Sequence, residues 1–124
     1  MKLIWTSDVH LNFLHNQAEY RKEFYDKLKD AEGDSILITG DIAESSNVVL
    51  YIEEMQAAVG KPVYFVLGNH DFYGSSVLAV KQSVKHLGYL PKNMGTPLSD
   101  DTILMGVDGW GDTRNGYYEN SHLT

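Results

Sequence analysis

The chain has no cysteine, so disulfides and thiolate metal sites are both excluded, and a reducing, cytoplasmic setting is the expectation. It is short of basic side chains: 10 Lys and Arg stand against 17 Asp and Glu, a formal net charge of −7. Beyond Lys92 the sole basic side chain is Arg114. That balance argues against unaided attraction to nucleic acid or to an anionic membrane. Nucleic acid is not excluded as a partner, because an acidic protein can meet phosphates through divalent cations. Long apolar runs are also missing. No stretch approaches the length of a membrane span, so no membrane partner is expected. Met1–Trp5 (MKLIW) is too short for a signal peptide, and Asp8 and His10 follow at once. Repeats, low-complexity tracts and linkers are absent. So are a P-loop, a G-x-S-x-G elbow and an H-E-x-x-H pair, which removes the usual rival hydrolase and nucleotide sites.

What remains is a chain of 124 residues, 43% hydrophobic and with eight tyrosines, the size and composition of one globular domain. Its pattern is alternation. Lys2–Thr6 reads as a strand, and a helix follows over about 15–31 with Tyr20, Phe24, Leu28 and Ala31 on its apolar side. Ser35–Thr39 (SILIT) is a continuous apolar run of strand length. Ser45, Ser46 and Asn47 offer N-caps for a second helix with Val48, Ile52, Met55 and Val59 on one face. Val63–Leu67 (VYFVL) is a third buried strand, and Ser75 and Ser76 cap a third helix with the stripe Val77, Val80, Val84 and Leu87. Thr96–Ser99 and Thr102–Val107 suggest a hairpin, and the tail from Asp108 reads as loop. Strand and helix in strict alternation imply an α/β fold with a mostly parallel sheet and flanking helices.

In open parallel sheets ligands bind beyond the carboxyl ends of the strands. After the first strand comes Ser7-Asp8-Val9-His10; after the second, Gly40-Asp41; after the third, Gly68-Asn69-His70-Asp71. Singly, Asp8 and Asp41 serve equally well as capping or turn residues, and Asn69-His70-Asp71 as a strand-to-helix turn. Three strand ends delivering metal-competent groups to one rim form a pattern that single turns do not explain. Asp8 and His10, two apart in an extended segment, point the same way. Gly40 and Gly68 let the backbone turn sharply and approach a ligand. Carboxylate, imidazole and amide donors without sulfur suit Mn, Fe, Zn or Mg alike.

The ordered set D-x-H, G-D and G-N-H-D, each closing a strand, resembles the calcineurin-like metallophosphoesterase family over residues 3 to about 110. That resemblance implies a metal-dependent phosphoesterase with two divalent ions. It hydrolyses a phosphate ester, of a small molecule or a phosphoprotein, by a metal-bound hydroxide. It implies Asp8 and His10 as ligands of the first metal, Asp41 as the bridging carboxylate and Asn69 as a ligand of the second. His70 is implied as the group that contacts the phosphoryl oxygen and protonates the leaving group, with Asp71 polarising it. Arg114 is a candidate substrate contact, while Phe72 and Tyr73 read as loop packing.

The family pattern continues with a further histidine and a G-H-x-H element, and neither occurs here. His15 has no counterpart in that pattern, and His122 stands in the tail. His86 is carried roughly 15 Å from the rim by its helix. The expectation is therefore a single domain, 1–124, that is the N-terminal part of a larger metallophosphoesterase domain, half of an α/β-β/α sandwich. Activity should be impaired in this chain, and it should self-associate through sheet surface left uncovered. The rival reading is a non-catalytic scaffold of the same fold that holds protein partners. Retention of His70 beside Asp8, His10, Asp41 and Asn69 argues against it.

Overall fold

The computed structural model describes residues 2–92 and 95–108. Strands β1 (Leu3–Thr6), β2 (Ser35–Thr39) and β3 (Val63–Val66) form a parallel sheet in the order β1-β2-β3. Trp5 lies beside Leu37 and Leu37 beside Tyr64, so all three strands run in one register and end on one rim. Helix α1 (Ala18–Asp30) connects the first two strands and α2 (Val48–Val59) the next two. Helix α3 (Val77–Val84) follows β3, and a separate antiparallel hairpin joins β4 (Thr96–Ser99) to β5 (Thr102–Leu104). The α/β reading and the parallel sheet are as the alternation implied.

One face of the sheet, carrying Ile36, Ile38, Val63 and Phe65, is sealed. It packs in one core with Tyr25 and Leu28 of α1, Tyr51, Ile52, Met55 and Val59 of α2, and Val80 and Val84 of α3. Each such side chain contributes about 1.5–3 kcal/mol by leaving water. The opposite face is less protected: Trp5 is 71% exposed in the row it shares with Leu37 and Tyr64.

The structure corrects the first helix. Residues 11–14 form a short 3₁₀ turn, and α1 begins only at Ala18. Tyr20 is exposed, and the buried ring is that of Tyr25. A tyrosine goes inside only when its hydroxyl finds a partner, and Tyr25 donates to Glu54 Oε1 at 2.8 Å. Arg21 pairs with the same carboxylate at 2.8 Å and donates to the Leu14 and His15 carbonyls, tying α1 to α2 and to the 3₁₀ turn. Among the expected caps, Ser76 accepts from Ala79 N at 3.1 Å. Asn47 occupies the N-cap of α2, but its side chain instead accepts from Glu44 N at 2.9 Å.

Beyond α3 the chain runs alongside β3 on the side away from β2, with Phe65 N donating to Gly88 O at 3.0 Å and Phe65 bridging Tyr89. β5 stops at Leu104, not at Val107. The following residues leave the hairpin so that the Asp108 carboxylate reaches Leu67 N at 2.8 Å. That bond satisfies the amide that follows β3 and keeps the strand end in place.

Candidate metal centre

The chain past β1 is laced to the chain past β2. Asp8 N donates to Gly40 O at 3.1 Å, His10 N to Asp41 O at 3.0 Å and Leu11 N to Ile42 O at 2.7 Å. This brings Asp8, His10 and Asp41 together, with one ligand atom from each lying within 4.8 Å of the others. Among the described residues it is the one cluster of its kind.

The backbone is strained to achieve it. Asp8, His10 and Asp41 have φ of 53°, 43° and 52°, and among the described residues no other non-glycine residue takes positive φ. The left-handed region costs a residue with a Cβ about 1–2 kcal/mol. Such strain clusters where side chains must be aimed. Gly40, at φ 103°, makes the turn that leads from the end of β2 to Asp41.

The third strand end closes on the other two through Asp41. His70 N donates to Asp41 Oδ1 at 3.0 Å. A Cβ on Gly68 would stand 2.3 Å from that same oxygen, so a larger residue there would displace the carboxylate. The His70 ring meets the His10 ring edge-on at 4.8 Å between centroids. Asn69 opens the 3₁₀ turn of residues 69–72, is exposed, and donates its amide to Tyr73 Oη at 3.1 Å.

Asp71 departs from the expected role. Its carboxylate is fully buried, with Oδ1 accepting from Ile42 N at 2.9 Å and Ala43 N at 2.8 Å, and Oδ2 from Gly68 N at 2.9 Å. The expected contact with the His70 ring is not made. Asp71 is instead a strut between the loop carrying Asp41 and the loop carrying His70. Burial raises its pKa to about 6 against the pull of those three amides, and the nearby Asp41 charge adds to the rise. Asp8 moves the other way: a hydrogen bond from the Ser7 hydroxyl at 2.6 Å is the largest influence holding it below the usual carboxylate range.

The donor set fits a divalent cation. Two carboxylates and an imidazole converge from three positions, and His10 Nδ1 is buried with no hydrogen-bond partner. A buried ring nitrogen left unpaired costs free energy that an ion would recover. Other histidines are occupied elsewhere: His15 Nδ1 lies 2.7 Å from Tyr51 Oη, and exposed His86 faces Glu53 at 3.7 Å. Arg114 and His122 lie outside the described residues.

Sequence reasoning missed two contributors besides the Asp71 strut. Asp108, 5% exposed at its side chain, fixes the end of β3 through Leu67 N, accepts from Tyr89 Oη and faces Lys81 at 3.6 Å. Its only sequence signal is a carboxylate closing a hairpin. Phe72 packs the loop as expected, and so does Tyr73, which lies against the His70 ring at 4.6 Å and accepts from the Asn69 amide; what the sequence did not signal is that Tyr73 stays 43% exposed beside a histidine of the site.

A family model of the calcineurin-like phosphoesterases matches residues 1–120, and the strand-end motifs that define the rim lie within that span. The chain belongs to the calcineurin-like phosphoesterase family.

Proposed function

We propose that the chain hydrolyses a phosphate ester at the rim where its three parallel strands end. The observation that carries this reading is the convergence of Asp8, His10 and Asp41 ligand atoms within 4.8 Å, with the His70 ring packed edge-on against His10. Asp8, His10 and Asp41 hold a divalent cation, and Asn69 offers its amide oxygen to a second. Bound there, such ions supply Lewis acidity toward phosphoryl oxygens and make water nucleophilic at neutral pH. His70 contacts a phosphoryl oxygen and gives its proton to the leaving group. Asp71 holds the His70 loop against the Asp41 loop, so that both histidines keep their relative placement. Four donors are few for two ions, so turnover by this chain is expected to be slow.

The test is hydrolysis of p-nitrophenyl phosphate and bis(p-nitrophenyl) phosphate with Mn²⁺ and with chelator. Rate should require metal and fall about 100-fold or more in His70→Ala, the lower range for loss of a general acid. Equal rates in His70→Ala and the unsubstituted chain would remove that role and favour a non-catalytic scaffold.

A further inference from the structure

Four rings stand in a row along the metal rim. Phe13 stacks on His10 at 5.1 Å and 19°, His10 meets His70 at 4.8 Å and 82°, and His70 meets Tyr73 at 4.6 Å and 46°. The inner two are the imidazoles of the proposed reaction site. The outer two are open to solvent, Phe13 at 67% and Tyr73 at 43%.

Core packing does not account for the outer pair. Leu11, in the same 3₁₀ turn as Phe13, is 1% exposed and enters the core, so the turn already has its apolar anchor. Scattered exposed apolar side chains need no explanation. Two exposed rings that each touch a histidine of one site do. Phe13 stacks on His10 yet is 67% exposed, so ring surface remains for a further flat ring at stacking distance. Tyr73 borders the row at its other end, its hydroxyl fixed by the Asn69 amide at 3.1 Å.

We infer that the organic group of the substrate carries a flat aromatic ring close to the phosphate, and that this ring stacks at one end of the row, on the exposed surface of Phe13 or of Tyr73. The inference rests on the phosphoesterase reading above. A ring attached at phosphorus, as in an aryl phosphate, and a nucleobase held across a ribose share this chemistry.

The test is calorimetric titration of the Mn²⁺-loaded chain with two matched pairs. Phenylphosphonate is compared with methylphosphonate, and adenosine 5′-monophosphate with ribose 5-phosphate. The ring-bearing member of at least one pair should bind about tenfold tighter, the lower range for one stacked ring. Preference in the phenyl pair alone indicates a ring next to phosphorus; preference in the adenosine pair alone indicates a nucleobase. In one of the two variants Phe13→Leu and Tyr73→Leu, which keep apolar volume and remove the π face, that preference should shrink to about twofold. Equal affinity within both pairs overturns the ring inference while phosphate binding, and with it the phosphoesterase reading, stands. A preference that persists in both leucine variants overturns it as well. Failure of all four compounds to bind overturns both readings.

Discussion

Replacing Asp71 tests the strut on which the site is built. Its carboxylate satisfies three amides, Ile42 N and Ala43 N through Oδ1 and Gly68 N through Oδ2, and among the described residues no other acceptor is bonded to them. Asp71→Ala orphans all three. Asp71→Asn keeps an oxygen for Ile42 and Ala43 but turns a donor toward Gly68 N. Both variants remove the buried charge, so the relief of its burial is common to them and cancels in the comparison. The difference is therefore two buried amides, at about 1–3 kcal/mol for each donor left unsatisfied. Asp71→Ala should be less stable than Asp71→Asn by roughly 2–6 kcal/mol, against a total that for a domain is about 5–15 kcal/mol. Urea unfolding of the metal-free protein, followed by far-UV circular dichroism at neutral pH, measures this. Variants of equal stability would show that the carboxylate does not join the two loops.

Three further outcomes are expected. Asp71 binds its proton up to about pH 6 in the native state but only to about 3.8 in the unfolded chain. Between those values the native state holds the extra proton, so Asp71's contribution to metal-free stability should fall by about 2–3 kcal/mol as pH rises from 4 to 8, and Asp71→Asn should lack that part of the slope. Asp108→Ala strips acceptors from Leu67 N and Tyr89 Oη and a partner from Lys81. It should cost about 2–6 kcal/mol in the same unfolding assay, from the two donors left unsatisfied, since Lys81 is half exposed and keeps its solvation; a loss under ~1 kcal/mol would show that the β3 end holds without it. The open sheet face with Trp5 at 71% exposure should make sedimentation concentration-dependent at micromolar protein, with Trp5→Lys reducing the effect. A single monomeric species throughout would count against this.

The legible parts of the fold were those written in short-range pattern. Ser35–Thr39 and Val48–Val59 carry continuous or periodic apolar runs closed by glycine, and both elements occur where the pattern puts them. The rim was legible for the same reason: once three strands are parallel, the residues that follow them share an edge, and Asp8, His10 and Asp41 meet there, although Asp8 and His10 do so through left-handed backbone and not through the extended segment their spacing suggested. Long-range polar bonds carried no such signal. Tyr25 is buried instead of Tyr20 because Glu54, 29 residues on, accepts its hydroxyl proton. Asp71 binds amides 28 and 29 residues earlier, and a backbone N–H leaves no mark in a sequence. The strand-end position of Asp108 depends on a turn whose path no periodicity encodes.

Convergence of donors on one cation is tested most directly by titrating Mn²⁺ into the chain while following the free-ion electron paramagnetic resonance signal. The unsubstituted protein should deplete that signal, and Asp8→Asn, His10→Ala and Asp41→Asn should each weaken binding about tenfold or more, since ligand number and geometry set affinity. Manganese bound equally well by all three variants, or not bound by the unsubstituted chain, would contradict a metal centre at these strand ends.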